Sequence, residues 1–183
     1  LYAKGEYDPD REQSFAPALC NRIDRNTEGI VIAAKTAEAL RVMDEKIRAR
    51  EVKKYYLAAV HGTPAPREAT LSGWLLKDAA ENRVRVFDKN PPHGAKEIRT
   101  KYRVLETVGD VSLIEVELLT GRTHQIRAHM AHVGHPLLGD GKYGINREDR
   151  ARGYTHQALC AYRVRFDFSG EETVLDALRG REF

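Results

Sequence analysis

Three stretches of the chain concentrate charged, hydroxyl and imidazole side chains that could take part in chemistry. Residues 21–29 place Asp24 between two arginines, immediately before an apolar run. Residues 54–62 contain a lysine, two adjacent tyrosines and a histidine, and residues 119–127 contain two arginines, a histidine and a glutamine. A carboxylate in a loop before a buried strand can act as a nucleophile or stabilise a developing positive charge. Asp24 is therefore the first candidate for a functional side chain.

The three most prominent candidates also have purely structural interpretations. Asp24 has the residue type of a turn that caps its own backbone. Arg127, near the start of a predicted helix and beside His124, either pairs with a buried carboxylate and keeps it ionised or lies at the surface. Tyr56 falls in an apolar strand, where a buried phenol usually belongs to the core. The local sequence leaves both interpretations open for each residue.

Histidines crowd the segment that follows, and imidazole is a common ligand of transition metals. They are His124, His129, His132 and His135. No pair has the i, i+4 spacing that places two ligands on one helix face, and we find no cysteine or carboxylate partner at ligand spacing. The glycine-rich residues 134–144 match neither GxGxxG nor GxxxxGK[ST]. We therefore expect no metal site and no P-loop, with a histidine–metal hydrolase as the less favoured alternative.

Length and composition predict one folded domain. The chain has 183 residues, of which 42% are hydrophobic and 31% charged, close to the globular average. Its apolar runs stop far short of the about 20 residues that cross a bilayer, so we expect no membrane partner. The two cysteines, Cys20 and Cys160, form no CxxC pair, which favours a reducing, cytoplasmic location.

The positive charge is clustered in the middle of the chain. Residues 83–103 hold seven Lys and Arg against two acids, and residues 122–165 hold eight against three. Tyrosines are interleaved with these cations, a combination that can attract phosphates and stack on bases. A solvated basic face is the simpler interpretation of the same pattern.

Hydrophobic periodicity and turn residues predict an α+β fold with a mixed, largely antiparallel sheet and flanking helices. Ile30–Ala34 is predicted as a short buried strand, and Thr36 as the N-cap of a helix that runs to about Arg50. Thr123 is predicted to cap a second helix that ends at Gly134. Further strands are predicted over 52–60, 70–76, 83–87, 96–105, 111–119 and 155–168. In the strand 111–119, apolar residues alternate with glutamates, which indicates one buried and one wet face.

The three stretches together resemble the motifs of the RluA/RluC-type RNA pseudouridine synthases. Residues 21–29 are similar to His-Arg-Leu-Asp-x-x-Thr-Ser-Gly, with Asn21 and Glu28 in place of the usual His and Ser. Residues 54–58 resemble the second motif, and residues 119–140 the third. Residues 156–162 resemble the closing strand of the family, so that the resemblance runs from about residue 17 to 168.

The resemblance implies a role for each candidate. It makes Asp24 the catalytic residue and Arg127 its ion-pair partner. Tyr56 would pack on the target base and serve as a base, while Ile126 would line the uracil pocket. Further substrate contacts are assigned to Arg22, which would fill the stack that the base leaves, and to Arg122, His124 and Gln125.

The resemblance also implies the domain and the reaction. Residues 1–183 would form a pseudouridine synthase catalytic domain that lacks the N-terminal strands of the family and carries no S4 domain. The enzyme would be an isomerase that flips specific uridines out of RNA and converts them to pseudouridine without a cofactor. Large-subunit ribosomal RNA is the favoured partner. Transfer RNA as substrate and a catalytically silent RNA-binding fragment are the alternatives.

Overall fold

A seven-stranded mixed sheet positions most of the candidate residues. The computed structural model describes residues 8, 10–11, 15–78, 80–144 and 146–183. The strands of the sheet lie in the order β2-β9-β4-β8-β7-β5-β6, and a separate two-stranded sheet pairs β1 with β3. The strands are β1 Ala18–Leu19, β2 Glu28–Gly29, β3 Ala33–Ala34, β4 Val52–His61, β5 Glu68–Asp78, β6 Arg83–Phe87, β7 Lys96–Val108, β8 Val111–Leu118 and β9 Leu159–Phe166. The helices are α1 Ala37–Arg48, α2 Gln125–His132 and α3 Asn146–Ala151, with a 3-10 turn at Asp176–Leu178.

The chain divides into two units. The larger comprises residues 23–30 and 53–164, and the smaller comprises 31–52, 165–183 and the described residues up to Arg22. In the smaller unit, the Thr36 hydroxyl accepts a hydrogen bond from the Ala39 amide at 3.1 Å and caps α1, as predicted. Met43 on α1 is 3% exposed. The predicted first helix is confirmed, although it ends at Arg48.

The core of the larger unit lies between one face of the sheet and α2. Ile114 and Val116 on β8 are buried, while Glu115 and Glu117 point to the other face. Met130 on α2 packs against these residues in the same cluster. β8 pairs antiparallel with both β4 and β7, whereas β2 pairs parallel with β9. The predicted α+β class and mixed, largely antiparallel sheet are therefore confirmed. None of the described helices is long and apolar enough to cross a membrane.

Two local predictions are wrong. Residues 30–34 do not form one strand, because β2 pairs with β9 whereas β3 pairs with β1, and Val31 between them is 38% exposed. Thr123 does not cap α2: the residue before the helix is His124, which has a left-handed backbone with φ 53° and no capping side-chain bond. Neither outcome follows from periodicity, since both depend on where the chain makes distant contacts.

His129 on α2 is a buried, neutral histidine and makes stability depend on pH. Its side chain lies in the core with Nδ1 2.9 Å from the Thr100 hydroxyl oxygen. Burial lowers the pKa of His129 to about 4, with a further contribution from the nearby His132. An unfolded chain would take up this proton near pH 6.5, so the folded state is penalised as the solution becomes acidic.

We expect the free energy of unfolding to fall between pH 6.5 and 4 by about 3 kcal/mol from this group alone. The contribution is fully present above pH 6.5 and is lost as the pH falls toward 4. Urea denaturation of the protein and of His129→Gln at pH 7 and 4.5 measures it, with the exposed His93→Gln as control. Equal acid sensitivity of the protein and His129→Gln would contradict the assignment.

Candidate active site

Asp24 lies in a tight turn that several backbone and side-chain contacts hold in place. The Thr27 amide donates to the Asp24 carbonyl at 3.0 Å, and Asn26 adopts a left-handed backbone with φ 64°. The buried Gln157 side chain donates to the Arg25 carbonyl at 2.6 Å. Asn26 Nδ2 lies 3.1 Å from His156 Nδ1. Asp24 does sit in a turn, as the structural interpretation requires, and its carboxylate remains available for another partner.

That partner is Arg127 on α2, which also binds a second carboxylate. Arg127 Nε and Nη2 donate to the two oxygens of Asp140, each at 2.8 Å. The remaining nitrogen, Nη1, lies 3.5 Å from Asp24 Oδ2. The side chain of Asp140 is 0% exposed and that of Arg127 is 8% exposed, whereas Asp24 is 17% exposed. One guanidinium thus bridges two carboxylates, held firmly by Asp140 and only loosely by Asp24.

Asp140 is ionised despite its burial. Burial alone would raise the pKa of this carboxyl group, but the hydrogen bonds and charge of Arg127 outweigh it and lower the pKa. The amides of Lys142 and Tyr143 contribute further by donating to Asp140 Oδ1, at 2.9 and 3.2 Å. Asp140 therefore fixes the orientation and the charge of Arg127.

The segment before Asp140 is held between strands, and this fixes where the carboxylate lies. The Leu138 amide donates to the Ala59 carbonyl on β4 at 2.9 Å, and the Ala158 amide donates to the Leu138 carbonyl at 2.8 Å. Gly139 has φ 75°, and a Cβ atom there would lie 2.2 Å from the His156 carbonyl oxygen. Only glycine fits at this position.

Tyr56 on β4 is a buried phenol whose charge state is set by its surroundings. It is 6% exposed and packs in the same core cluster as Ile126 and the half-buried Ile23. Burial and the negative charge of Asp24 raise the pKa of Tyr56 to about 12. At pH 7 only about one molecule in 10⁵ would carry the phenolate. Tyr56 is thus a neutral, apolar wall close to Asp24.

His124 is linked to the surroundings of Arg127 through its contact with Tyr143. The Tyr143 hydroxyl accepts from the Val84 amide at 3.0 Å, and its oxygen lies 2.9 Å from His124 Nδ1. Burial lowers the pKa of His124, and the charges of Arg127 and Lys142 lower it further against Asp24 and Asp140. The neutral form of the imidazole is therefore favoured at pH 7.

The other predicted substrate contacts lie in different surroundings. Gln125 is buried, and its amide bonds to four groups at 2.9 to 3.0 Å: the Thr120 hydroxyl, the Arg122 amide, the Arg99 carbonyl and the Thr100 hydroxyl. A substrate contact would have to displace one of these bonds. Arg122 is exposed just before α2, and Arg22 is exposed and belongs to the smaller unit. The assignments to Arg22, Arg122, His124, Gln125 and Ile126 stay predictions.

Asp140 and Gln157 are the residues of the site that the sequence did not single out. Asp140 is 13 residues from Arg127, and Gln157 is 132 residues from Arg25. Asp140 stands inside the third motif, at the end of Leu138-Gly139-Asp140, so the motif itself was the available signal. No local pattern marks Gln157, because its role exists only once β9 has been brought beside the Asp24 turn.

The histidines point to separate partners. His129 contacts Thr100, His132 contacts Asp88, and His135 lies 2.9 Å from the His61 carbonyl. No cluster of three His, Cys, Asp or Glu side chains within the described ranges is arranged to hold a metal ion. The functional groups that the structure brings together around Asp24 are a carboxylate, a guanidinium and a phenol. The expectation that no metal takes part stays a prediction.

Asp24, Tyr56 and Arg127 lie within a region that matches a known family. Residues 2–132 match the family model described as RNA pseudouridylate synthase. A ribosomal large subunit pseudouridine synthase C of Vibrio cholerae is 39% identical over 80% of this chain and 44% of its own length. An uncharacterized RNA pseudouridine synthase of Chloroflexus aurantiacus is 39% identical over 78% of this chain and 44% of its own length. The chain thus spans less than half the length of these relatives.

A solved structure supports the same family. The human RNA pseudouridylate synthase domain containing 1 aligns with a TM-score of 0.72 and 29% identity, covering 85% of this chain and 66% of that one. With the family match over more than two thirds of the sequence, the chain belongs to the RNA pseudouridylate synthase family.

Proposed function

We propose that this chain is the catalytic domain of an RNA pseudouridine synthase, with Asp24 as its catalytic residue. The observation that carries the proposal is the bridge from Asp140 through Arg127 to Asp24, beside the phenol of Tyr56. The reaction breaks the bond between uracil N1 and ribose C1′, joins C5 to C1′, releases the hydrogen of C5 as a proton, and leaves N1 to take up a proton from solvent. Family membership and the relatives that act on the large ribosomal subunit support it.

The bridge suits a carboxylate that has to react. Asp140 accepts the two strong hydrogen bonds of Arg127. These bonds fix the guanidinium without a strong hydrogen bond to Asp24. Asp24 has the cation of Arg127 at 3.5 Å, and its oxygens are not held in a bidentate pair. It can therefore act as a nucleophile or stabilise positive charge on the sugar.

Tyr56 and Ile126 form an apolar wall on the core side of Asp24. We propose that the target base packs on Tyr56 and that Ile126 excludes water, which keeps the detached uracil in place. Since the phenol is neutral at pH 7, its contribution before the reaction is packing. For Tyr56 to remove the proton from C5, the phenol would first have to lose its own proton.

The substrate has to leave its base stack, at a cost of roughly a few kcal/mol. We propose base flipping for this reason, with Arg22 filling the space that the base leaves. Large-subunit ribosomal RNA is the proposed substrate, because several relatives are named for that activity. The cytoplasmic location and the single-domain assignment of residues 1–183 stay predictions.

Release of tritium from RNA labelled at C5 of uridine tests the proposal, since the isomerisation expels that hydrogen. Unmodified transcripts of large-subunit ribosomal RNA and of transfer RNA are the two substrates, with cytidine-labelled RNA as blank. We expect release from the ribosomal transcript. Release only from the transfer RNA transcript would indicate that transfer RNA is the substrate. Binding of both RNAs without release would indicate a silent RNA-binding module, and activity abolished by chelation would indicate a metal-dependent enzyme.

A further inference from the structure

An open cavity beside Arg127 is lined by three cations and one acid. It has a volume of about 400 Å³ and lies between β6 and the loop after Asp140. Its lining residues, which define what we call the Arg83 cavity, are Glu81, Arg83, Val84, Arg85, Lys142 and Tyr143. The volume is within the range of sites that bind small molecules or parts of larger ones.

Two of its three cations are not neutralised by neighbours. Arg85 lies 3.6 and 3.8 Å from the carboxylates of Asp78 and Glu81. Arg83 has no carboxylate within 4 Å among the described residues, and its guanidinium lies over the Tyr143 ring, 5.7 Å from the centroid. Lys142 Nζ donates to the Asn82 carbonyl at 2.6 Å, which anchors the ammonium group and leaves its other protons for a ligand.

The cavity shares a wall with the candidate active site. Tyr143 has Arg83 on the cavity side, and the guanidinium of Arg127 lies 5.4 Å from the same ring centroid. The Tyr143 hydroxyl also contacts His124. A polymer with one unit at Asp24 would therefore place its adjoining unit near the Arg83 cavity.

We propose that the Arg83 cavity binds the phosphodiester next to the reactive uridine, with Arg83 and Lys142 as its two ligands; this rests on the function proposed above. A guanidinium that stacks on an aromatic ring keeps its N–H edge free for a phosphate, and it can bind two oxygens at once. Phosphate contacts of this kind position an RNA strand without reading its sequence. The cavity thus sets the register of the strand so that one uridine reaches Asp24.

The test compares Arg83→Gln and Lys142→Gln with Lys101→Gln. Lys101 lies on β7 on the opposite face of the sheet from the core, and it provides the same change of charge away from the cavity. Each of these substitutions is also combined with Asp24→Asn, so that the RNA is not converted during the titration. The affinity of every variant for the unmodified ribosomal transcript is measured from 50 to 200 mM salt.

We expect each cavity variant to bind about 3- to 10-fold more weakly at the lower salt concentrations, and the slope of log affinity against log salt to shrink by about one. Lys101→Gln should bind the RNA with the affinity and the salt slope of the unchanged protein. Arg83→Lys, which keeps the charge, should recover most of the slope. Equal affinity and slope for Arg83→Gln, Lys142→Gln and Lys101→Gln would overturn the cavity assignment.

The two proposals fail in different ways. If tritium is released but the cavity variants bind normally, the cavity assignment is wrong and the proposed function stands. If the protein releases no tritium from either RNA while the cavity variants still lose affinity and slope, the enzyme proposal is wrong, and the cavity remains a phosphate site of an RNA-binding protein.

Discussion

Asp24→Asn should reduce the release of tritium from C5-labelled RNA by at least about 10³-fold while leaving the fold intact. The amide has nearly the same shape, so the turn with Thr27 can form as before. It carries no charge, however, and can neither attack carbon effectively nor stabilise a cationic sugar. Because Asp24 makes only one long contact with Arg127, its loss should change the free energy of unfolding little.

This effect is measured by the single-turnover release of tritium, the affinity for RNA and thermal unfolding. Asp88→Asn, an exposed carboxylate far from the turn in sequence, is the matched control and should keep full activity. An Asp24→Asn variant that releases tritium within tenfold of the normal rate would remove Asp24 from the catalytic role.

Arg127→Leu is expected to destabilise the protein as well as inactivate it. The change leaves Asp140 as a fully buried carboxylate without its partner, and breaking a buried pair in this way costs about 3–5 kcal/mol. Asp24 also loses the guanidinium that lies 3.5 Å from its carboxylate. Urea denaturation at pH 7 measures the stability, and tritium release measures the activity.

Arg127→Leu combined with Asp140→Asn separates the two effects. The double variant removes the unpaired charge but retains an oxygen that accepts from the Lys142 amide, so it should be more stable than Arg127→Leu alone. It should remain inactive, since Asp24 still lacks Arg127. The exposed Arg122→Leu serves as the stability control, with an expected change within about 0.5 kcal/mol. Unchanged stability of Arg127→Leu would contradict the role of Asp140 as a buried anion.

Local patterns predicted the elements whose structure is decided locally. The strand predicted over 83–87 is β6, and the one predicted over 111–119 is β8 apart from its last residue. In both, alternation of side chains sets the buried face within a few residues. The helix after Thr36 follows from one capping hydroxyl and an apolar stripe, and these too are local properties.

The rest depended on contacts between distant residues. The apolar run 30–34 reads as a strand, but its neighbours pair with different partners, which no periodicity encodes. The motif resemblance located Asp24 and Arg127, yet it assigned Arg127 wholly to Asp24. The structure shows that Asp140 holds Arg127 more strongly. A buried ion pair depends on distance and orientation in the folded state, which the order of residues does not reveal.

The peptide at His156 and Gln157 touches both carboxylate-bearing loops. It faces Gly139 directly, and its side chains reach Asn26 and the Arg25 carbonyl. A displacement at this point would disturb both loops and so alter the spacing between the two acids. Homologous proteins should consequently keep glycine at position 139, and single exchanges at positions 26, 156 and 157 should lower tritium release more than RNA affinity.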